Sequence, residues 1–394
     1  MDNVIFLFSK DCVNLEALPM NGNKYWKTPN IDALAAKGTV FTRHYSAAAS
    51  TSMSFSSMIS GHYPYEFKSR KEYVATIPNE FPGFFEYFQD NGYETHLIWD
   101  ETWVNYCWKF VELWGHKDIL HVHNLNIAQP AGSHKKNSKE NVRNDALLEE
   151  SYKLIYDTLK SIDLSKKQFI WLHLPHIIRG RRCYMDDVDV WDNMVGFVRE
   201  LVGDDSIYIT ADHGHMNMHK GKVGYGFDVY EPIIRIPLIT PRINNLQKYD
   251  GLTNSIDLFQ IMVNHSIPHH DYIISDSQYY AQPDRKTAVV TDRFKLIYNK
   301  HTRTEELYDL WWDPQENYNI LKKTFFDKDR IRITIYNELY FYPYYVDAMR
   351  AYEKLNEVRC SIWREPSWFL GKKVALKKYI RNIRLYVKNV ILMK

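Results

Sequence analysis

The sequence predicts an α/β fold, an α/β/α sandwich around a large, mostly parallel sheet. Short apolar runs typical of buried strands alternate with segments whose apolar residues recur at helical spacing. The length of 394 residues also allows one large α/β domain and a smaller one. Beyond about residue 266 the pattern changes to short strands and turns, which predicts a small antiparallel subdomain.

Each element has its own signal in the sequence. Apolar runs predict strands over residues 3–8, 39–46, 93–99, 168–174 and 206–210. Helical spacing, with a proline or a glycine near the boundaries, predicts helices over residues 28–38, 84–91 and 188–203. Residues 121–145 are polar and irregular, which predicts a surface loop. We therefore expect a catalytic α/β domain over 1–265, a small C-terminal subdomain over 266–325 and a helical extension over 326–394.

Composition excludes several classes of protein. The formal charge of +2 does not favour nucleic acid as a partner, and the four cysteines lack the spacing of a zinc ribbon or a disulfide framework. The first apolar run is too short for a signal peptide, and no run of 18 apolar residues would span a membrane. We expect a cytoplasmic protein.

Polar residues follow several of the predicted strands. Asp11, Thr51, His176 and Asp212 come shortly after such runs. Ligands of open α/β sheets bind beyond the carboxyl ends of the strands, so one rim can bring these side chains together. Carboxylates with an imidazole suit a divalent metal, and Asp11, Asp212 and His213 supply them, with the hydroxyl of Thr51 as a fourth ligand.

Thr51 lies in the stretch YSAAASTSMSFSSMISGHYP, residues 45–64, which reads as a short helix closed by Gly61. Threonine at a helix start is a common N-cap, because its oxygen accepts a free backbone N–H group. The same N–H groups bind anions, so Thr51 is also a candidate nucleophile beside an anionic substrate. The residues alone leave both interpretations open.

Longer segments resemble a known family. TPNIDALAAKGTVFTRHYSAAASTSMSFSSMISGHYP resembles the opening of the sulfatase family, in the alkaline phosphatase superfamily, and ITADHGHMNMHKGK resembles its second metal-binding segment. FIWLHLPH, MDDVDVWDNMVGFVREL and FKLIYNKHTRTEELYDLWWDPQENYNIL are similar to later parts of that family. The resemblance covers about residues 3–321 and implies an alkaline-phosphatase-like fold and a metal site.

The nucleophile segment departs from true sulfatases. Those enzymes have Cys or Ser, followed by Pro and Arg, where this chain has Thr51, Met53 and Phe55. Thr cannot become formylglycine, and Asp100 and Thr102 stand where sulfatases have a sulfate-binding Lys and His. The segment TSMSFSSMIS resembles instead the threonine-nucleophile segment of phosphoethanolamine and phosphoglycerol transferases.

The resemblance assigns roles to single residues. Asp11, Thr51, Asp212 and His213 match metal ligands, and Lys10 stands where many sulfatases have another Asp. His176 and His219 match catalytic histidines on the substrate side, with His215 as a rival to His219. The resemblance further points to His215, Lys222 and His173 as substrate-binding residues. It implies one divalent metal, with zinc or manganese favoured over calcium, and allows a second.

These residues predict a metal-dependent phosphoryl-group transferase or phosphodiesterase that uses Thr51 as covalent nucleophile. A phospho-donor and a glycan or lipid-linked acceptor, as in cell-surface glycan biosynthesis, would be its partners. One alternative is a sulfatase-like hydrolase of sulfate or phosphate esters. Another is a catalytically inactive binding protein of the same fold.

Residues 366–394 form a basic tail without acidic residues. Its apolar and cationic residues fall on separate stripes of a helix, an arrangement typical of helices on anionic membrane surfaces. We expect peripheral binding to the inner membrane face, and the alternative is a helix packed on its own domain.

Overall fold

Nine strands of the described part of the chain form the central sheet. The computed structural model describes residues 3–66, 69–71, 74–76, 83–99, 120–124, 152–175, 184–277, 285–321 and 345–362. Within these ranges, a second sheet of four antiparallel strands lies in the C-terminal part. The predicted class is confirmed: a large, mostly parallel sheet with a separate small antiparallel one.

The strands, in chain order, are β1 (Val4–Lys10), β2 (Thr39–Tyr45), β3 (Ser69–Lys71), β4 (Val74–Thr76), β5 (Glu94–Trp99), β6 (His121–Asn124), β7 (Gln168–Leu174), β8 (Ile207–Ala211), β9 (Met216–Asn217), β10 (Val223–Gly224), β11 (Arg235–Thr240), β12 (Lys248–Tyr249), β13 (Thr253–Asn254), β14 (Ile273–Asp276), β15 (Lys286–Val290), β16 (Phe294–Asn299) and β17 (Thr304–Asp309). The helices are α1 (Pro29–Lys37), α2 (Thr51–Ser60), α3 (Phe84–Asp90), α4 (152–161), α5 (Tyr184–Val202), α6 (Glu231–Ile234), α7 (Leu258–Asn264) and α8 (Tyr345–Ile362).

Strand β1 lies in the middle of the central sheet, whose order is β12-β2-β11-β8-β1-β7-β5-β6, with β13 also paired to β2. It runs parallel to β7 and to β8, and its last residue, Lys10, is in register with Leu174 and Ala211. Only β11 runs antiparallel to its neighbours β2 and β8. The residues that follow β1 and β8 therefore emerge side by side at one rim.

Helices cover both faces of this sheet. Phe6 and Phe8 of β1 pack with residues of α1, α4 and α5, whereas Ile5 and Leu7 pack with residues of α2, α3 and α7. Successive side chains of a strand point to opposite faces, so a strand buried on both faces needs a continuous apolar run. That requirement explains why β1 and β7 were readable in the sequence.

Strand β6 lies where the sequence predicted a loop, so that prediction is wrong for residues 121–124; residues 125–145 are outside the described part. Its backbone pairs with β5, with His121 in register with His96. The strand is at the sheet edge and His121 and Val122 are exposed, so it carries no apolar alternation.

The small sheet has the order β14-β15-β16-β17, and helix α8 covers one of its faces. Ala348 and Leu355 of this helix are buried against Val289, Leu296 and Leu307. The boundaries at residues 265 and 325 remain predictions. The basic tail, 366–394, lies outside the described residues, and no described helix has the length and apolar character that a bilayer span requires.

Candidate active site

Asp11 and Asp212 are neighbours at the rim. Lys10 of β1 is in register with Ala211 of β8, and the two aspartates are the residues that directly follow them. Oδ1 of Asp212 accepts hydrogen bonds from the backbone N–H groups of His213, at 2.7 Å, and of Cys12, at 3.3 Å. The N–H of Val13 donates to the carbonyl of His213 at 3.0 Å. These bonds join the two strand ends, so the carboxylates are held by backbone geometry.

Thr51 is the first residue of helix α2, and its Oγ1 lies 3.1 Å from Nε2 of His213. The N-cap of the helix is Ser50, whose side chain makes no capping bond. Thr51 is therefore not the cap, and the capping interpretation does not apply to it. Because the Ser50 side chain does not cap the first N–H groups of α2, an anionic ligand can bind there.

Two serines fix the start of α2 against the rim. The hydroxyl groups of Ser46 and Ser54 both donate to the carbonyl oxygen of Asp212, at 2.5 and 2.6 Å. Gly214 completes the turn: its N–H donates to the carbonyl of Ile233 at 2.6 Å. A Cβ at position 214 would lie 2.1 Å from the carbonyl oxygen of Pro232, so only glycine fits after Asp212 and His213.

The ring of His213 directs its Nε2 into the site. Its Nδ1 lies 2.9 Å from the carbonyl of Gly214, an acceptor, so this nitrogen carries the proton. The other nitrogen, Nε2, lies 3.7 Å from Oδ1 of Asp11 and 3.4 Å from Oδ2 of Asp212. Burial, with the nearby charge of Asp11, raises the pKa of Asp212 to about 6. Carboxylate oxygens of Asp11 and Asp212 thus lie close to Nε2 of His213 at the rim.

Lys10 does not neutralise these carboxylates, although it precedes Asp11 in the chain. Its Nζ pairs with Asp187 at 2.8 Å and donates to the carbonyl groups of Asp11 and Pro175. Both side chains of the pair are buried. The lysine therefore satisfies a different carboxylate.

A divalent cation fits this donor set. Two buried carboxylates and one imidazole lone pair face each other, and Oδ2 of Asp212 makes no direct hydrogen bond of standard geometry within the described part of the chain. Among the described residues, Asp11, Cys12 and His213 also have ligand atoms that all lie within 4.8 Å of one another. The site can thus supply oxygen, nitrogen and sulfur ligands.

Cys12 is a candidate ligand that sequence reasoning missed. It is fully buried, adopts a left-handed backbone conformation with φ of 62°, and places Sγ 4.0 Å from Nδ1 of His213. Burial raises the pKa of its thiol, so the thiol stays protonated unless a cation binds there. Its position directly after Asp11, a predicted metal ligand, could have indicated this role, whereas the spacing of the four cysteines could not.

His219 and Lys222 contact residues outside this cluster. The ring of His219 lies 6.0 Å from that of Tyr230, and its Nε2 is buried. Burial lowers the pKa of His219. Lys222 pairs with the buried carboxylate of Asp228 at 2.6 Å, and Lys286 shares that carboxylate at 2.7 Å. Their catalytic and substrate-binding roles remain predictions.

His215 lies in the turn after β8, whereas His173 lies within strand β7. The Nδ1 of His215 bonds to Asn217 at 2.8 Å, and Tyr225, a residue not singled out from sequence, stacks on His213 with ring centroids 4.4 Å apart. His173 lies in the core, 2.9 Å from the hydroxyl of Ser9, and burial lowers its pKa to about 3.

Phe55, which replaces the sulfatase arginine, packs in the core. Its ring centroid is 4.9 Å from that of Trp171 and 4.6 Å from that of His173. Met53 is buried too. His176, Asp100 and Thr102 lie outside the described residues.

Comparisons with known proteins agree on the fold. Residues 2–177 match the family model for sulfatases, and no curated protein sequence matches the chain. A candidate sulfatase from Bacteroides thetaiotaomicron is 17% identical with a TM-score of 0.65, over 90% of this chain and 94% of that chain. The phosphonate monoester hydrolase of Agrobacterium radiobacter is 14% identical with a TM-score of 0.62, over 91% and 96%. That of Silicibacter pomeroyi is 13% identical with a TM-score of 0.62, over 93% and 97%.

Proposed function

We propose that this chain is a metal-dependent enzyme that cleaves a phosphate ester through Thr51. Residues 2–177 match the family model for sulfatases, a metal-dependent family, and this match supports the proposal. The observation that carries the proposal is the 3.1 Å contact between Oγ1 of Thr51 and Nε2 of His213, beside two buried carboxylates. A threonine hydroxyl is a weak nucleophile at neutral pH and needs such an environment to react.

Each residue of the rim then has a role. Asp11, Asp212 and His213 would hold the cation, with Thr51 and Cys12 within reach of it. A bound divalent metal supplies positive charge that lowers the pKa of a hydroxyl and stabilises negative charge on the substrate. The hydroxyl groups of Ser46 and Ser54 keep the start of α2, and with it Thr51, at the rim. The free N–H groups of α2 would bind a non-bridging phosphate oxygen.

The proposed reaction needs only the phosphate ester and, in its second half, water or an acceptor hydroxyl. As Oγ1 of Thr51 forms a bond to phosphorus, the bond from phosphorus to the leaving alcohol oxygen breaks. The hydroxyl proton passes through solvent or a nearby histidine to the alkoxide that leaves. Water or an acceptor hydroxyl then attacks the phosphothreonine, which restores Thr51. Charge in such transition states is spread over the non-bridging oxygens, so fixed positive groups do most of the catalysis.

Two observations favour phosphorus over sulfur. The threonine cannot be converted to formylglycine, and the arginine of the sulfatase segment is replaced by Phe55, which packs in the core. The second candidate is a sulfatase-like hydrolase, since the candidate sulfatase noted above shares the fold. Fold alone does not decide between them, because one fold supports many reactions.

Intact-mass analysis tests the nucleophile. We expect a phosphoryl adduct on Thr51 after incubation with phosphodiester or phosphomonoester donors, and none in Thr51→Ala. We expect Thr51→Ala to lose at least about three orders of magnitude in rate. Ser52→Ala is the matched control, because Ser52 is the next hydroxyl residue of α2. Near-full activity of Thr51→Ala would refute the assignment; activity with a sulfate ester alone would favour the second candidate.

Cobalt titration tests the metal ligands without measuring activity. A thiolate bound to Co²⁺ gives a charge-transfer absorption, which we expect for the wild-type chain and not for Cys12→Ala. A spectrum without that band in both proteins would leave a site of oxygen and nitrogen ligands only, which suits zinc or manganese without Cys12. If neither protein takes up any divalent metal at the rim, the inactive binding protein becomes the better interpretation.

The proposal also includes the acceptor and the cellular location of the enzyme. A glycan or lipid-linked acceptor at the inner membrane face would suit the basic tail, 366–394, which would hold the enzyme on anionic lipid. Flotation with anionic liposomes, for the full chain and for one without residues 366–394, tests this part. Equal flotation of both proteins would show that the tail does not bind the membrane.

A further inference from the structure

Three imidazoles share one face of the sheet at its edge, far from the rim. His121 and His123 are alternate residues of β6, so both point to the same face. His96 of β5 is in register with His121, which places it on that face as well. The ring centroid of His96 is 4.9 Å from that of His121 and 5.5 Å from that of His123.

This cluster is separate from the candidate active site. His96 is in register with Ile170, four residues before Leu174, the partner of Lys10 at the rim. At about 3.3 Å per residue, the distance along the strand is about 13 Å. None of the three histidines takes part in the proposed reaction.

Hydrogen bonds fix the tautomer of His96. Nε2 of Gln168 donates to the carboxylate of Glu94 at 2.9 Å and to the carbonyl of Asp163 at 3.0 Å, which uses both of its protons. Its Oε1 must therefore be the atom that faces Nε2 of His96, at 3.0 Å. An amide oxygen is an acceptor, so Nε2 of His96 carries the proton and Nδ1 has a lone pair.

That lone pair points at a second imidazole. Nδ1 of His96 lies 3.2 Å from Nε2 of His123. Two nitrogens bound to one ion stand about 3 Å apart, since each metal–nitrogen bond is about 2.1 Å. Burial lowers the pKa of His96 to about 4, and burial also lowers that of His123, so both rings are neutral at pH 7, the state that binds metal.

We infer that His96, His121 and His123 form a second metal site, for a late first-row ion such as zinc, copper or nickel. His96 is hydrogen-bonded to Gln168, which in turn donates to Glu94. Metal-binding histidines are commonly oriented by such hydrogen bonds from their second ring nitrogen. His96 is buried, His123 is half-buried and His121 is exposed, so an ion can enter from solvent. The exposed ring of His121 has to turn to join the other two. A bound ion would tie the edge strand β6 to β5.

Nickel binding to the full chain tests this site, because imidazole suits Ni²⁺ whereas carboxylates suit Mn²⁺. We expect the wild type to bind one more equivalent of Ni²⁺ than His123→Ala does. We expect His121→Ala to bind at least about tenfold more weakly at this site. His269→Ala is the matched control, since its side chain is 87% exposed and belongs to another surface. Equal stoichiometry and affinity in wild type, His121→Ala and His123→Ala would overturn the site.

Electron paramagnetic resonance of bound Cu²⁺ gives a second measurement. We expect couplings to three nitrogens in the wild type and to two in His121→Ala. Because His121 is exposed, this variant should fold like the wild type. A spectrum with the same nitrogen count in both proteins would show that His121 does not bind the ion, which would overturn the three-histidine site.

Discussion

Within the described part of the chain, one pair of buried carboxylates lies at the rim of the central sheet and another lies beside the small sheet. At the rim, Asp11 and Asp212 face His213. In the other cluster, Nζ of Lys295 lies 3.0 Å from Glu231 and 2.8 Å from Glu316. All four acidic residues are buried.

The difference lies in what balances the charge. Lys295 is fully buried between its two carboxylates, and the N–H of Glu231 donates to Glu316 at 2.7 Å. This cluster carries its own cation and links β16 to helix α6. At the rim, the lysine next to Asp11 in the chain, Lys10, is paired with Asp187, and no lysine or arginine within the described residues has a recorded ion pair with Asp11 or Asp212. Buried carboxylates with an internal cation are structural, and buried carboxylates without one are prepared for an external cation.

The largest effect should come from removing the internal cation. Lys295→Met would leave two buried carboxylates unpaired, and we expect a loss of about 3–5 kcal/mol in the free energy of unfolding, measured with urea. Divalent metal should not restore it. Lys248→Met is the control, because Lys248 forms an exposed pair with Asp250, and surface pairs contribute under about 1 kcal/mol. Equal losses in the two variants would remove the distinction between the clusters.

Adding a cation to the rim should stabilise the fold. With Mn²⁺ at 100 times its dissociation constant, we expect the metal-stripped wild type to gain about 2.7 kcal/mol. Asp212→Asn should gain little, since it lacks one buried carboxylate, whereas the surface variant Asp250→Asn should respond like the wild type. Thermal unfolding with and without Mn²⁺ measures the gain. A full response in Asp212→Asn would place the metal elsewhere.

Protons and metal should compete at Asp212. Its pKa is raised to about 6 from 3.8, so the folded, metal-free protein binds a proton there that the unfolded chain releases. Between these pH values, stability without metal should therefore fall as pH rises. Metal affinity should fall by up to about tenfold per unit below pH 6, because the ion needs the ionised carboxylate. Titrations with Mn²⁺ at pH 5 and 7 check this, and Asp212→Asn should show a flatter profile.

A partly exposed pair should give the smallest effect. Nε2 of His270 lies 2.9 and 3.0 Å from the two carboxylate oxygens of Asp257, which raises the pKa of His270. Its contribution to stability is present below the unfolded pKa of 6.5 and is lost as pH rises through the higher folded value. We expect under about 1 kcal/mol, seen as a difference between wild type and His270→Asn on raising the pH. A variant with unchanged pH dependence would show that solvent screens this pair completely.

The sequence predicted the sheet well where strands are buried on both faces. The range 168–174 was correct to the residue, and helix α1, Pro29–Lys37, is one residue shorter at each end than the predicted range 28–38. Strand β6 was missed because this short edge strand, His121–Asn124, contains only one apolar residue and so carries no apolar run. The roles of Thr51, His213 and the other candidate residues remain predictions that the proposed experiments test.

The sequence by itself determined the fold class and the positions at which polar residues follow the strands, because apolar periodicity and strand ends are local properties of a chain. Only the tertiary structure decided which of those residues meet. The register of β1 with β8 places Asp11 beside Asp212, and helix α2 brings Thr51 to His213 across 162 positions of the chain. Tertiary structure also decided that Lys10 turns to Asp187 and that His96 meets β6. Such contacts depend on strand pairing, which no local pattern of residues encodes.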